Sequence, residues 1–282
     1  MSGYQLGILV LLSFNVIAAY AVYLPLAAGQ LNLGIAGFMV VGAYAASYLT
    51  NEFGWPVAAA VASGGGLAGA VALLVAIPIL RTHGIYLALA TFALGQVVAA
   101  IFLNLEVVGG ASGYPVSAHI GAVAVIGTAI AVVAFMALLS TTRFALYLTA
   151  VKSDPLVSDL MGIDIRMIKV AAFTLGAVVA GIGGGLYAHY FNYIEAQYFS
   201  VMLSIYTVLY VLLGGTQTVW GPLVGALIFT LMPELLRASA QWRYALFAVF
   251  IILFMAVRPQ GLITTGIGSY VRKLVARPGA AR

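Results

Sequence analysis

Long apolar stretches separated by short polar or glycine-rich breaks dominate the chain. The first charged residue is Glu52, so the apolar run before it is far longer than the roughly 20 residues that one transmembrane helix needs. The glycine-containing segment 29–34 divides this run into two. The same pattern predicts nine spans, at about 5–28, 34–50, 57–80, 84–105, 118–140, 170–191, 200–214, 220–236 and 243–257. We therefore predict an all-α polytopic membrane protein in which residues 1–282 form a single transmembrane domain.

The composition supports this class of protein. The chain of 282 residues is 64% apolar and only 7% charged, whereas a soluble domain is about 25% charged. Twelve basic and seven acidic side chains cannot cover the surface of a water-soluble globule of this size. This excludes a soluble enzyme, a nucleic-acid-binding domain and a disordered protein. There is no cysteine, so no disulfide framework or thiolate metal site can form.

The distribution of cations predicts the orientation. With nine spans and the C-terminus inside, only Arg237 and Arg243 lie outside, and ten cations lie on the cytoplasmic side: Arg81, Arg143, Lys152, Arg166, Lys169, Arg258, Arg272, Lys273, Arg277 and Arg282. The positive-inside rule then selects an outer N-terminus and an inner C-terminus. The last of these cations belong to a basic tail, Tyr270 to Arg282, expected at the lipid surface.

One cytoplasmic loop, residues 143–169, carries seven of the charged residues. Within it, Asp154 can cap a short helix that begins at Pro155, where the missing N–H costs nothing. Gly162 can end that helix in the left-handed conformation. We therefore predict a two-turn helix over 155–161.

The predicted short helix has one apolar face, made of Leu156, Val157, Leu160 and Met161, with Ser158 and Asp159 pointing elsewhere. Two turns are marginal in water, so such a helix needs a surface on which to dock. Two interpretations remain open. The helix lies on the bilayer or on its own bundle, or it inserts into a cytoplasmic partner.

Several short segments are informative through their order and spacing. They are 29–34 with 42–44, 84–91, 150–163 with 169–173, 181–190, 213–215 with 220–225, 233–234 and 258–262. Together they resemble the permease subunits of branched-chain amino acid ABC importers, specifically the LivM-like half. The similarity covers nearly the whole chain.

The resemblance implies a function and a set of partners. The chain would be a multi-pass permease in the bacterial inner membrane, pairing with a second, homologous permease subunit. Two cytoplasmic ATPases and a periplasmic or extracellular solute-binding protein would complete the importer. Its solute would be a branched-chain amino acid or a related small polar solute, such as urea or an amide. The loop 143–169 would be the coupling loop that meets an ATPase. The coupling residues expected there are Lys152, Asp154, Leu156, Asp159, Leu160, Met161 and Gly162.

The nucleotide would be bound by partner subunits. A P-loop needs a lysine directly after a glycine, and the three lysines of this chain follow Val151, Ile168 and Arg272. We expect no cofactor, no metal and no catalytic residue in the permease itself. The alternative is a free-standing channel for a neutral solute or a secondary transporter. Ion-coupled carriers usually bury ionisable groups in mid-membrane, whereas all seven acids are expected at interfaces or in loops.

Polar residues inside the spans suggest the translocation path. They are expected to face the bundle interior or a water path: Asn15, Gln30, Asn32, Gln96, Asn104 and Gln217. Gln96 and Asn104 lie eight residues apart and so roughly on one helix face. We expect them to line the route, although helix–helix hydrogen bonding is an alternative for each.

One segment matches an enzyme motif. Gly110–Gly113 matches the GxSG pattern of intramembrane serine proteases, with His189 as a possible base. We expect Ser112 to lie in an outer loop instead of opening a helix inside the membrane, which disfavours this reaction. We expect His189 to be a satisfied interfacial residue.

Overall fold

The structure is a computed structural model that describes residues 3–235, 243–258 and 261–263. Its helices are α1 Gly3–Ala27, α2 Ile35–Phe53, α3 Val57–Ile79, α4 Ile85–Asn104, α5 Ala122–Ser140, α6 Arg143–Ser153, α7 Pro155–Leu160, α8 Ile165–Phe191, α9 Val201–Gly214, α10 Gly221–Leu235 and α11 Arg243–Val257. Two short strands, β1 Tyr114–Pro115 and β2 Tyr193–Ile194, pair in antiparallel register. The all-α prediction is confirmed.

Six helical segments of the described chain are long and apolar enough to cross a membrane. They include α1, α3, α4, α5 and α8, and a sixth segment that runs from Ala196 to Gly214. The predicted spans coincide with helices, but α2, α10 and α11 are not among these six. A polytopic helical membrane protein is therefore shown, whereas the count of nine spans and the orientation stay predictions. Arg237 and the basic tail 270–282 lie outside the described residues.

The core is built around α8, which packs against α1, α2 and α3. Glycine and alanine make these contacts close. A methyl group at Gly42 of α2 would overlap the backbone of Gly181 in α8, and Gly65 of α3 faces Ile182 of α8. Without side chains at these points, the backbones can approach closely, which is how small residues stabilise helix contacts in lipid.

The segment predicted as one polar loop is largely helical. Residues 143–153 form α6, which the sequence pattern did not predict. The next membrane helix begins at Ile165, five residues before the predicted start, and so α8 is 27 residues long. Asp164 causes the early start, because its carboxylate accepts a hydrogen bond from the Met167 N–H at 2.9 Å and so caps the helix.

Candidate functional site

Helix α7 forms as its local sequence predicts. The Asp154 carboxylate accepts a hydrogen bond from the Val157 N–H at 3.1 Å, and Pro155 occupies the first turn. The helix ends one residue before the predicted boundary, at Leu160. Gly162 follows with φ +80°, and the N–H of Ile163 returns to the Ser158 carbonyl at 3.1 Å. These are the two ends that a capped, glycine-terminated helix requires.

The orientation of α7 is opposite to that of an ordinary surface helix. Its serine, Ser158, is buried and donates to the Asp154 carbonyl at 2.8 Å. Its apolar side chains are exposed: Leu156 79%, Val157 53%, Leu160 86% and Met161 78%. Asp159 and Gly162 are also exposed. The apolar face therefore does not rest on the chain's own bundle, which leaves the bilayer and a cytoplasmic partner as the surfaces on which it can dock.

Lys152 lies apart from this apolar face, at the end of α6. Its ammonium donates a hydrogen bond to the Thr216 hydroxyl at 2.9 Å, in the turn between α9 and α10. Its backbone lies beside Gly29, in the turn between α1 and α2. Partial burial lowers the pKa of Lys152 below its usual value. The side chain thus joins α6 to both glycine-containing turns, a role that its position in the sequence did not indicate.

The two residues predicted to line the path lie on the outside of this chain. Gln96 and Asn104 are both exposed on α4. The Asn104 amide donates to the Ala100 carbonyl of its own helix at 2.8 Å. Neither residue faces the interior of the single bundle. A path between two permease chains would still bring them to its wall, whereas a path inside one chain would not.

Other polar residues of the spans are divided between the core and the surface. Gln30 and Asn32 are each only 1% exposed. Both polar atoms of the Gln30 amide and the Asn32 Nδ2 have no hydrogen-bond partner among the described residues, although Asn32 Oδ1 accepts from the Gly34 N–H at 2.8 Å. The Asn15 amide bonds the Thr230 hydroxyl at 2.9 Å. Gln217 is exposed.

The geometry gives no support to the protease motif. Ser112 lies in a short 3-10 segment, Gly110–Ser112, and its carbonyl accepts from the Tyr193 hydroxyl at 2.5 Å. His189 is fully buried, and its two ring nitrogens already contact the Gly185 carbonyl and the Thr50 hydroxyl. The expectation that His189 is satisfied is confirmed. Within the described ranges, no three His, Asp or Glu side chains lie close enough to hold a metal ion.

These features define a multi-pass membrane protein with an exposed apolar helix on a loop at one end of its bundle. Comparison with known families identifies the class. The family model described as the permease component of the branched-chain amino acid transport system matches residues 4–257. The chain therefore belongs to this family of permeases, whose place is the bacterial inner membrane.

Curated relatives agree with this family. The LivM permease protein of the high-affinity branched-chain amino acid transport system of Escherichia coli is 25% identical over 83% of this chain and 64% of its own length. The LivH permease protein of the same system is 26% identical over 47% of this chain and 45% of its own. The fructose import permease protein FrcC of Rhizobium meliloti is 28% identical over 42% and 35%.

The match thus spans just under two thirds of the LivM relative. These relatives are transport permeases for different solutes, so the family by itself does not specify the cargo. No solved structure matches the chain significantly.

Proposed function

We propose that the chain is the permease subunit of an ATP-binding-cassette importer for branched-chain amino acids or a related small polar solute, such as urea or an amide. The observation that carries this proposal is α7, whose apolar side chains are exposed while its serine is buried. An exposed apolar face of this kind marks a surface that meets a protein partner or the membrane. In an importer, that partner is one of two cytoplasmic ATPases, which bind the ATP.

The remaining partners follow from the family. LivM and LivH are both permease proteins of one system, which supports pairing with a second, homologous permease. A solute-binding protein would deliver the solute at the outer face. The permease would perform no covalent chemistry, and alternating access would be driven by ATP binding and hydrolysis in the ATPase pair.

The residues of the loop would have different roles in coupling. Leu156, Leu160 and Met161 would enter a cleft of the ATPase, with Asp159 at the edge of the contact. Asp154 and Gly162 would hold the helix in shape from its two ends. Lys152 would transmit movement to the turn that contains Thr216, because its ammonium bonds that turn directly.

A crosslinking experiment tests the coupling role. The chain has no cysteine, so Leu156→Cys and Leu160→Cys give clean single sites. We expect both to crosslink to the co-expressed ATPases in membranes, with a yield that changes on ATP addition. The matched control is Ser158→Cys in the same helix, which points inward and should not crosslink. Labelling of Leu160→Cys from the cytoplasm without any crosslink would instead support a free-standing channel or carrier.

The path residues have a separate test. If the path runs between two permeases, Gln96→Leu and Asn104→Leu should lower the uptake of the solute without lowering the amount of assembled importer. Leu138→Ala, on the exposed surface of α5, is the control. Uptake equal to that of the unmodified protein in both leucine variants would remove these residues from the path.

A further inference from the structure

A cavity of about 380 Å³ lies between α1, α8 and the start of α9. Its volume falls in the range of sites that hold small molecules. Six of the side chains that line it are aromatic rings on three separate segments: Phe14, Tyr187, Tyr190, Phe191, Tyr198 and Phe199. The sequence pattern did not reveal this group, because the rings are up to 185 residues apart along the chain.

The cavity exists because α9 is short. α9 begins only at Val201, after β2 and a 3-10 turn at Ala196–Tyr198, and it has 14 residues against 25 in α1. The first turns of α1 are therefore partly uncovered. Leu11 is 53% exposed, and a side chain added at Gly7 would meet nothing within 4 Å. Both residues line the cavity.

The rings form a connected wall. The Phe14 ring centroid lies 5.6 Å from that of Tyr187 and 6.0 Å from that of Tyr190, both edge to face. Tyr187 lies 5.4 Å from Phe199, which belongs to the segment entering α9. Phe14 is only 7% exposed. Such a wall holds an alkyl group by dispersion and attracts a cation through the ring faces.

One amide adds a polar group to this wall. Asn15 lines the cavity, and its Nδ2 donates to the Thr230 hydroxyl. No described residue donates a hydrogen bond to Asn15 Oδ1, which leaves this oxygen as an acceptor for an ammonium group. Urea has no alkyl group for the rings to hold by dispersion, and a sugar has neither a branched alkyl group nor an ammonium for Asn15 Oδ1.

We infer that this cavity is a solute subsite of the permease, in which the rings receive a branched aliphatic side chain and Asn15 accepts a hydrogen bond from the α-ammonium of an amino acid. The inference rests on the proposed function, because it assumes that the chain carries a solute. The inference adds the place within the chain where the solute binds. It also names the groups of the solute that the protein contacts, which are the aliphatic side chain and the α-ammonium.

The test fills the cavity without disturbing the fold. Gly7→Leu places a side chain in open space at the cavity wall. Gly127→Leu is the matched control, since Gly127 is inside α5, also has nothing within 4 Å and does not line the cavity. The probe is radiolabelled L-leucine, bound at equilibrium to the assembled permease–ATPase complex in detergent, without the solute-binding protein.

We expect Gly7→Leu to weaken L-leucine binding at least tenfold and Gly127→Leu to leave it unchanged. Unlabelled L-isoleucine and L-valine should compete, whereas urea and D-fructose should not. The inference is overturned if the unmodified complex does not bind L-leucine, if the two variants bind alike, or if urea or D-fructose competes as well as L-valine.

ATP-dependent uptake into proteoliposomes that contain the same complexes, measured with the solute-binding protein added, separates the two proposals. If uptake depends on ATP and the Gly7→Leu complex binds L-leucine as the unmodified complex does, the subsite is refuted and the importer is still supported. If no ATP-dependent uptake of L-leucine, urea or D-fructose occurs, the importer itself is refuted, and the subsite that rests on it is refuted too.

Discussion

His189 and Thr50 show how a buried polar pair is satisfied between two helices of this protein. His189 Nδ1 lies 2.8 Å from the Gly185 carbonyl, and Nε2 lies 2.9 Å from the Thr50 hydroxyl. Because the Gly185 carbonyl can only accept, Nδ1 donates to it. The single proton of the Thr50 hydroxyl lies between two groups, His189 Nε2 and the Ala46 carbonyl, each 2.9 Å from the hydroxyl oxygen. The pair therefore links α8 to α2 near one end of each helix.

Thr50→Val tests this pair at the residue scale. The change leaves His189 Nε2 buried without a partner, so we expect the free energy of unfolding to fall by about 1–3 kcal/mol. Thermal unfolding of the purified protein in detergent measures this. Thr128→Val is the control, because Thr128 makes the same bond to the carbonyl four residues back but is only half-buried. A surface change of this kind should stay within about 0.5 kcal/mol, and equal effects would contradict a stabilising role for the pair.

At the scale of elements, glycine determines which helices can pack closely. A methyl group at Gly184 of α8 would overlap the carbonyl of Met39 in α2. The GxxxG pair Gly181 and Gly185 lies on the same helix, and a Cβ at Gly181 would meet the side chain of Ala68 at 2.6 Å and Gly65 at 3.0 Å, both in α3. Helix α8 thus receives α2 at Gly181 and Gly184, and it receives α3 at Gly181. This close packing on two sides allows α8 to form the centre of the bundle.

Gly184→Ala tests the close contact of α2 and α8. We expect the alanine to separate the two backbones and to cost about 1–3 kcal/mol or more in the free energy of unfolding, seen as a lower melting temperature. Gly127→Ala is the comparison within α5, where nothing lies within 4 Å. It should be neutral or stabilising by up to about 1 kcal/mol, because alanine favours the helix. A Gly184→Ala protein with the same melting temperature as the unmodified protein would show that the contact can relax.

At the scale of the whole molecule, the connecting segments at the two ends of the bundle are separated by the length of α8. The 27 residues of this helix span about 40 Å, with α7 before its start and β2 after its end. The antiparallel pair of β1 and β2 ties residue 114 to residue 194 at the far end. The exposed apolar helix and this strand pair therefore lie at opposite ends of the bundle, which is the arrangement that the proposed importer would need.

Side-specific labelling tests this arrangement. In intact cells, a membrane-impermeant maleimide should label Ser117→Cys, next to β1, and should leave Val157→Cys in α7 unlabelled until the membrane is opened. The Ser117 side chain bonds Asn51 and is exposed, so a cysteine there is reachable. The reverse result would invert the predicted orientation, and labelling of both sites in intact cells would contradict the assignment of spans.

Local sequence rules were enough for the elements whose ends carry their own signals. Asp154, Pro155 and Gly162 predicted α7 to within one residue, because a cap, a first-turn proline and a left-handed glycine act within a few residues of each other. The same rules missed α6, which has no side-chain cap at its start. They also did not predict that Lys152 would reach Thr216, a residue 64 positions away.

The sequence by itself determined the class of the protein, its membrane helices and the short capped helix of its loop, since each depends on hydropathy or on neighbouring residues. Only the tertiary structure decided which face of each helix is covered. It buried Ser158 and exposed Leu160, placed Gln96 on the outer surface of α4, and gathered the rings of Phe14, Tyr187 and Phe199 around one cavity. Which side chains are covered depends on which helices become neighbours. The neighbours are determined by the packing of α8 against α1, α2 and α3, and this packing exists only in the folded chain.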